Sequence, residues 1–258
     1  LESNLKYLMF ENKIKFIANK DYIKENIDRP EPAKLNIPDW YKKLEHSLHN
    51  KTVKGCMPFL DTLTIGYILR MPADYSITHN VYNTDTNKKD TASETSFTQV
   101  PNSFGNKLNL NKNNNQFHPI EQLGGDKCPI VHKNKNLKIH KLINPWIIKT
   151  PPGYSCLFVP PLNNSDDRFS IIPGVVDTDS FQTEINFPMI VNGDKYPVLK
   201  SIVKRGTPYV QVIPFKREKW KMSFGSEKHE KGEQIKFFQD SYIINNYKQK
   251  YWYKKSWK

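Results

Sequence analysis

The chain has 258 residues, a net charge of +13 and a mean hydropathy of −0.69. This length suffices for one large β domain or two small ones with a buried core. No apolar run approaches the roughly twenty residues that span a bilayer, and no apolar signal core lies near residue 1. We therefore expect a soluble protein that has no membrane partner.

The positive charge comes almost entirely from Lys, which is spread along the chain beside abundant Asn. One interpretation is an acidic partner such as nucleic acid, an anionic protein surface or a polyanionic glycan. The other is the compositional bias of an AT-rich genome. The three cysteines, Cys56, Cys128 and Cys156, are far apart and lack Cys-x-x-Cys spacing. This argues against a disulfide scaffold and a zinc knuckle and favours folding in a reducing cytoplasm.

Residues 1–50 are predicted to form an N-terminal extension with one short helix. Pro38 suits the first helical position and Asp39 the first turn, where its charge complements the helix dipole. The residues predicted to face inward are Trp40, Tyr41 and Leu44.

Residues 51–224 are predicted to form a β-barrel domain. Residues 56–61 suggest a break, and residues 63–71 a buried strand. The polar segment at about 78–116 is predicted to be a long hairpin or insertion that is mobile unless a partner orders it.

Several carboxylates and histidines in this region invite a metal interpretation. Asp61 and Asp74 are predicted instead to cap backbone donors, because no third ligand lies at a useful spacing. Pro119 interferes with a helix that would bring His118 and Glu121 together, so we expect His118 to bond a backbone group. The prediction is therefore that the chain has no metal site.

The stretch 144–215 is cut by Pro and Gly into short runs rich in Val, Ile, Phe and Tyr. These features are typical of strands separated by turns, and they predict a compact antiparallel barrel or sandwich. The predicted strands are 146–150, 155–159, 169–172, 184–191 and 209–214.

Residues 225–258 are predicted to contain a helix from Gln234 onward and a basic, aromatic tail. Just before them, Trp220, Met222 and Phe224 alternate with polar residues, which predicts a strand with one buried face. The tail could grip single-stranded nucleic acid, or dock on its own fold or a neighbouring subunit, which we favour. Its candidate binding residues are Trp252, Lys254, Lys255 and Trp257.

Three short motifs occur in order along the central stretch. They are Thr-Pro-Pro-Gly-Tyr-Ser at 150–155, Gly-Val-Val-Asp-Thr-Asp at 174–179, and the run 202–212 that contains Arg-Gly-Thr-Pro-Tyr-Val-Gln. This order resembles the trimeric dUTPase and dCTP deaminase family. The resemblance covers roughly seventy residues and implies a dUTPase-like β-clip or jelly-roll barrel that forms a homotrimer.

If the resemblance extended to catalysis, Asp177 would be the base with Asp179 beside it. Lys204 and Arg205 would bind phosphate, and Gln211 would lie in the final strand. However, the phosphate-binding Arg-Ser-Gly motif of those enzymes is absent at 158–163, and Ile68 stands where they have a metal-binding Asp. Because catalysis needs several groups placed together, we predict the fold without the chemistry, with no catalytic residues and no cofactor.

Further segments resemble an uncharacterised family of bacteriophage proteins. They are residues 37–43, 56–61, 118–122, 146–155 and 186–188. The resemblance implies a phage origin.

The leading hypothesis is a mainly β, non-enzymatic structural component of a virion, such as a capsid decoration, neck or tail protein. It would be made in the host cytoplasm and would associate with itself, as a trimer, and with other virion proteins. One alternative is a diverged dUTPase- or dCTP deaminase-like nucleotide hydrolase. Another is a basic phage protein that binds nucleic acid or a host factor.

Overall fold

The structure is a computed structural model that describes residues 12–18, 26–47, 49–82, 92–102, 117–124, 139–164, 166–225, 232–233 and 246–258. Its strands in chain order are β1 (Lys15–Ala18), β2 (Glu31–Pro32), β3 (Tyr67–Arg70), β4 (Tyr75–Tyr82), β5 (Ala92–Gln99), β6 (Phe117–His118), β7 (Ile139–Leu142), β8 (Trp146–Lys149), β9 (Tyr154–Val159), β10 (Phe169–Ile171), β11 (Gly174–Val176), β12 (Phe187–Val191), β13 (Val198–Val203) and β14 (Pro208–Lys216). Its α-helices are α1 (Asp39–Lys43), α2 (Met57–Thr64) and α3 (Asn246–Lys250). Short 3-10 turns occur at Ala33–Asn36, Val53–Gly55 and Ile120–Leu123.

The strands pair antiparallel in sheets of two to five strands. The largest has the order β11-β9-β14-β3-β2, and the others are β10-β12-β7-β6, β13-β4-β5 and β1-β8. The predictions of a mainly β fold and of a C-terminal helix are therefore confirmed.

The predicted closed barrel is not found in the described part of the chain. Closure requires the two edge strands of a sheet to pair with each other. In the largest sheet these edges are β11 and β2, which pair only with β9 and β3. Because turns cut the chain into short strands, the described residues form several small open sheets whose inner faces share one core.

Aromatic rings join three of the sheets in this core. The ring centroids of Phe158 and Phe187 are 5.2 Å apart, and those of Phe187 and Tyr209 are 6.0 Å apart. The ring centroids of Phe97 and Phe169 are 6.4 Å apart, and this contact connects the β13-β4-β5 sheet to the same cluster. Such large side chains contribute most of the apolar area that a β core buries.

β14 is the central strand of the largest sheet. It pairs with β9 on one side and with β3 on the other. Four consecutive residues, 209–212, are buried, because both faces of this part of the strand are covered. The predicted strand at 209–214 is confirmed, and it begins and ends slightly beyond those bounds.

The short N-terminal helix is confirmed as α1, with Pro38 before it and Asp39 in its first turn. Tyr41 is buried as predicted and stacks on Phe59 at 5.8 Å. Trp40 is 39% exposed, so its predicted inward position is only partly correct.

The predicted break at 56–61 and buried strand at 63–71 are wrong in their boundaries. Helix α2 occupies Met57–Thr64, and only Tyr67–Arg70 forms strand. Pro58 does not interrupt α2, because the first turn of a helix needs no N–H donor.

The polar segment begins as a hairpin, in which β4 and β5 pair from Tyr75↔Gln99 to Tyr82↔Ala92. Its inner face contributes Ile77 and Phe97 to the core. The hairpin is thus part of the fold, while residues 83–91 and 103–116 of the predicted insertion lie outside the described residues.

Most of the helix predicted from Gln234 also lies outside the described residues, as does Cys128. Cys56 is exposed, whereas Cys156 is buried and behaves as a small core hydrophobe. Burial raises the pKa of the Cys156 thiol to about 11. Of the helices described, none combines the length and the apolar character that crossing a membrane requires.

Gly66, which lies between α2 and β3, provides a test of how closely this turn packs against β14. Its φ is +73°, and a Cβ there would lie 2.1 Å from the carbonyl oxygen of Val212 in β14. Gly66→Ala should lower the free energy of unfolding by about 3 kcal/mol, because it adds a backbone clash to the cost of a left-handed conformation. Urea denaturation measures the change.

Gly153→Ala is the matched control, because Gly153 also has a positive φ of +84° but no described atom within 4 Å of its added Cβ. It should cost only about 1–2 kcal/mol. Equal losses in the two variants would contradict the close approach of Gly66 to β14.

Candidate functional site

The two aspartates suggested as catalytic residues lie together at the end of β14, where they hold Arg217. The Arg217 guanidinium forms ion pairs with the carboxylate of Asp179 and with that of Asp177. Its Nη1 lies 3.3 Å from Asp177 Oδ1. The hydroxyl of Ser155 also donates to Asp177 Oδ1 at 2.6 Å. Both aspartates therefore serve as hydrogen-bond acceptors that fix the position of Arg217.

Backbone groups complete this cluster. The N–H of Gly153 donates to Asp179 at 2.8 Å, and the N–H of Arg217 donates to the carbonyl of Gly153 at 2.8 Å. The Arg217 side chain and the Gly153 N–H lower the pKa of Asp179 to about 2. A carboxylate held so strongly in its charged form is poorly suited to accept a proton at neutral pH.

The candidate phosphate-binding residues Lys204 and Arg205 lie in the turn before β14 and are engaged in ion pairs. Lys204 Nζ lies 2.9 Å from one oxygen of Asp74, and the N–H of Arg205 donates to the other oxygen at 2.7 Å. Arg205 Nε lies 3.4 Å from Asp28. Asp74 thus accepts from a backbone donor, as predicted, and these contacts tie three loops together.

Within one chain, the two halves of the suggested hydrolase site are far apart. Asp177 bonds Ser155, which pairs with Phe215 near the end of β14, whereas Lys204 precedes the start of that strand. β14 has nine residues and spans about 26 Å at a rise of about 3.3 Å per residue. The fold does not bring these groups into one site.

No group of three or more His, Cys, Asp or Glu residues that could hold a metal occurs in the part of the chain that the structure describes. His118 bonds the side chain of Gln122 rather than the predicted backbone group. His132 lies outside the described residues, and His140 faces the carbonyl of Thr95 at 3.1 Å.

Gln211, suggested as a binding residue, is buried in the middle of β14. Its amide nitrogen donates to the carbonyls of Thr62 and Ile65 at 3.1 and 2.7 Å, and its oxygen accepts from the N–H of Leu162 at 2.9 Å. These three bonds connect β14 to the end of α2 and to the loop after β9. Because a buried amide must be hydrogen-bonded, these three bonds explain the presence of Gln211 by its structural role.

The aromatic, basic tail docks on its own fold, one of the two outcomes favoured from the sequence. Trp252 Nε1 donates to both oxygens of Asp61, at 3.2 and 3.1 Å, and Lys255 Nζ lies 2.6 Å from the same carboxylate. The ring of Trp257 packs edge-on against Tyr67 at 6.1 Å. Asp61 was predicted to cap a backbone donor, but it anchors the tail instead.

The tail's suggested binding residues are therefore divided. Trp252, Lys255 and Trp257 contact the chain's own fold, whereas Lys254 is exposed. Lys255 Nζ also lies over the ring of Trp252, 5.8 Å from its centroid, so this indole face is less open to stacking with bases.

Residues 217–225, which we name the arm, extend from the end of β14. Trp220, Met222 and Phe224 were predicted to form a strand with one buried face, but they are 88%, 78% and 89% exposed. No strand is formed there, and all nine residues of the arm are exposed. The predicted strand with one buried face is therefore wrong, and none of the described residues covers these side chains.

A cavity of about 330 Å³, which we name the acidic pocket, lies at the end of the largest sheet where β14 begins, opposite to the end from which the arm extends. Its apolar lining includes Phe169, Ile190 and Pro208, and three carboxylates also line it. These carboxylates are Asp166, Asp167 and Asp194.

Neighbouring cations and hydroxyls hold two of these carboxylates in their charged form. Hydrogen bonds from Arg168 lower the pKa of Asp166. Hydrogen bonds from Lys195 and from the hydroxyl of Tyr196 lower the pKa of Asp167. Each of these two carboxylates is thus paired with a cation of the same chain, Asp166 with Arg168 at 2.7 Å and Asp167 with Lys195 at 2.6 Å.

Sequence patterns did not identify Arg217, the role of Asp61 as the anchor of the tail, or the acidic pocket. The adjacent pair Asp166 and Asp167 was the available signal for the pocket, but Asp194 joins it only through the pairing of β10 with β12. Arg217 and Asp61 have partners 38 and 194 residues away, which no local spacing reveals.

Asp61→Ala should release the tail. The substitution removes charge-assisted hydrogen bonds to the partly buried indole of Trp252 and to the half-exposed ammonium of Lys255. We expect the free energy of tail docking to fall by about 1.4 kcal/mol, which should speed tryptic cleavage after Lys254 and Lys255 about tenfold. Limited proteolysis followed by mass spectrometry measures these rates. Asp39→Ala, which removes an exposed carboxylate paired with Lys42, should leave them unchanged. Equal rates in Asp61→Ala and the parent protein would contradict the docked tail.

The Asp179 cluster should make stability depend on pH in the acid range. Because the pKa of Asp179 is lowered to about 2 from its ordinary 3.8, the stabilisation is complete above about pH 4 and is lost as the pH falls to about 2. Asp179→Asn should therefore reduce the fall in unfolding free energy across this window. Urea denaturation at a series of pH values measures the slope.

Part of the pH dependence should remain in this variant, since Asp74, Asp166 and Asp167 also have lowered pKa values. Glu121→Gln removes an exposed carboxylate and serves as the control that keeps the parent slope. The same slope in Asp179→Asn as in the parent would show that Asp179 does not contribute.

No protein-family model and no curated protein matches the chain. The resemblances to dUTPases and to a phage family accordingly stay predictions from short motifs, and function is inferred from the geometry above.

Proposed function

We propose that the chain is a non-enzymatic structural component of a bacteriophage particle that associates with itself and with other particle proteins. The observation that carries this function is the arm, where Trp220, Met222 and Phe224 are exposed together. Large apolar side chains grouped on a surface are typical of protein interaction sites. The residues that a nucleotide hydrolase would use are engaged in internal contacts instead.

The relation to dUTPases also belongs to this proposal, at the level of the central strands. The segments that carry the three motifs lie side by side, because β11, β9 and β14 are consecutive neighbours in one sheet. Such an arrangement supports a common origin of this sheet without a retained triphosphate site.

The particle role extends to assembly and location. We expect the chain to be made in the host cytoplasm, to form a homo-oligomer such as a trimer, and to enter the virion as a capsid decoration, neck or tail protein without a cofactor. Because open sheets leave edge strands unpaired, association with a neighbour would also protect those edges.

Mass spectrometry of purified particles tests this function. Particles of the phage that encodes the chain are purified on a density gradient, and its peptides should co-sediment with the major capsid protein at a constant ratio. A non-structural enzyme of the same phage is the control and should remain at the top of the gradient. A chain that stays with the control would overturn the particle role.

A further inference from the structure

His79 is a buried imidazole in β4, and only one of its two ring nitrogens has a partner among the described residues. Its side chain is 2% exposed. Nδ1 lies 2.7 Å from the hydroxyl of Thr95, the residue opposite His79 in β5. Nε2 is buried without a hydrogen-bond partner. A neutral imidazole here leaves one nitrogen unpaired, whereas a protonated one has two N–H donors that both need acceptors.

The sheet that contains His79 supplies no charge that would compensate a proton. Leu199, opposite His79 in β13, is apolar. Tyr75 lies on the same face of β4 and stays neutral, because burial raises its pKa to about 12. Glu94 in β5 and Lys200 in β13 occupy strand positions whose side chains alternate to the other face of the sheet.

A second histidine approaches the same threonine from the facing sheet. His140 Nε2, in β7, donates to the carbonyl of Thr95 at 3.1 Å. A carbonyl oxygen only accepts, so this bond persists whether or not His140 is protonated. A protonated His140 would place a like charge across Thr95 from His79 and would oppose protonation of His79 further.

The remaining charged groups near this sheet form a pair. Arg168, which precedes β10, donates from Nη1 to the hydroxyl of Ser201 in β13 at 2.6 Å, and its own partner is Asp166 at 2.7 Å. No described side chain bonds Nε2 of His79. The site therefore suits the neutral imidazole, and burial lowers the pKa of His79.

The β13-β4-β5 sheet can separate from the core without breaking the strand pairs of another sheet. Among the described strands, its three members pair only with one another. Side chains attach it to the facing sheet, through the ring contact of Phe97 with Phe169 and the hydrogen bonds of His140 and Arg168. A unit attached in this way opens at a lower free energy than a strand paired on both sides.

We infer that His79 makes the attachment of the β13-β4-β5 sheet sensitive to acid. A protonated imidazole in this site is a buried cation without an acceptor at Nε2, and opening of the sheet lets water solvate it. The inference goes beyond the proposed function and does not rest on it, since it concerns a device within the fold.

The direction of the pH dependence follows from linkage. The pKa of His79 is lower in the folded chain than its ordinary 6.5. The folded state therefore binds fewer protons than the open state once the pH falls below about 6.5, and the attachment weakens as the pH falls further. Above about pH 7 both states are neutral at His79, and the attachment is at full strength.

Amide hydrogen exchange of the full-length chain at pH 7 and at pH 5.5 tests this inference. Each rate is divided by the intrinsic rate at that pH, so that only the opening equilibrium is compared. In the parent protein, the protection of amides in β4 and β5 should fall about fivefold between the two pH values. At pH 5.5 these amides should remain less protected than those of residues 209–212 in β14, because the opening is local.

Two variants remove the titrating group. His79→Asn keeps a polar atom beside Thr95, and His79→Leu fills the site with apolar atoms. In each, the protection of β4 and β5 should change less than about twofold across the same pH interval. Two variants are used so that a folding defect in one leaves the other informative. The matched control is His49→Asn, which replaces an exposed imidazole and should keep the fivefold fall of the parent.

Three results would overturn the inference. The first is equal protection of β4 and β5 at the two pH values in the parent protein. The second is a fall of parental size that persists in a folded His79 variant. The third is a loss that brings the amides of β4, β5 and β14 to one common protection, since the whole fold would then open together. The particle experiment is separate, because the presence of the chain in particles does not alter any of these measurements.

Discussion

The pairing of β14 with β9 on one side and with β3 on the other is the constraint on which the rest of the structure depends. The strand is buried over residues 209–212, where the ring of Tyr209 packs against Phe187 in β12 of a neighbouring sheet. Gln211 extends this role, because its three hydrogen bonds attach α2 and the loop after β9 to the same strand. A long strand with both neighbours paired is stiff, so it holds the features at its two ends at a constant separation.

Different chemistry is found at the two ends of this strand. At one end Asp177 and Asp179 hold Arg217, and the exposed arm begins there. At the other end the acidic pocket opens beside Pro208, and Lys204 is paired with Asp74. Charged groups that resemble a catalytic set in the sequence thus act as anchors for loops and for the arm.

Several elements could be predicted from local patterns. Helix α1 follows Pro38 as its capping chemistry predicts, and the strands β8, β9 and β12 fall in the expected apolar runs. The arm is the instructive exception, because its alternation predicted a buried face that the described residues do not provide. Alternation reports that a surface suits burial, but it contains no information on which molecule covers that surface.

The sequence by itself determined the mainly β class, the short helix at the N-terminal side, and the turns that Pro and Gly impose, because these follow from backbone sterics and from side-chain period within a few residues. Only the tertiary structure decided that the sheets stay open, that Asp61 holds the tail, and that Asp194 joins Asp166 in one pocket. These features depend on contacts between residues far apart in the chain. Such contacts are selected by the packing of the whole core, which no local window of sequence contains.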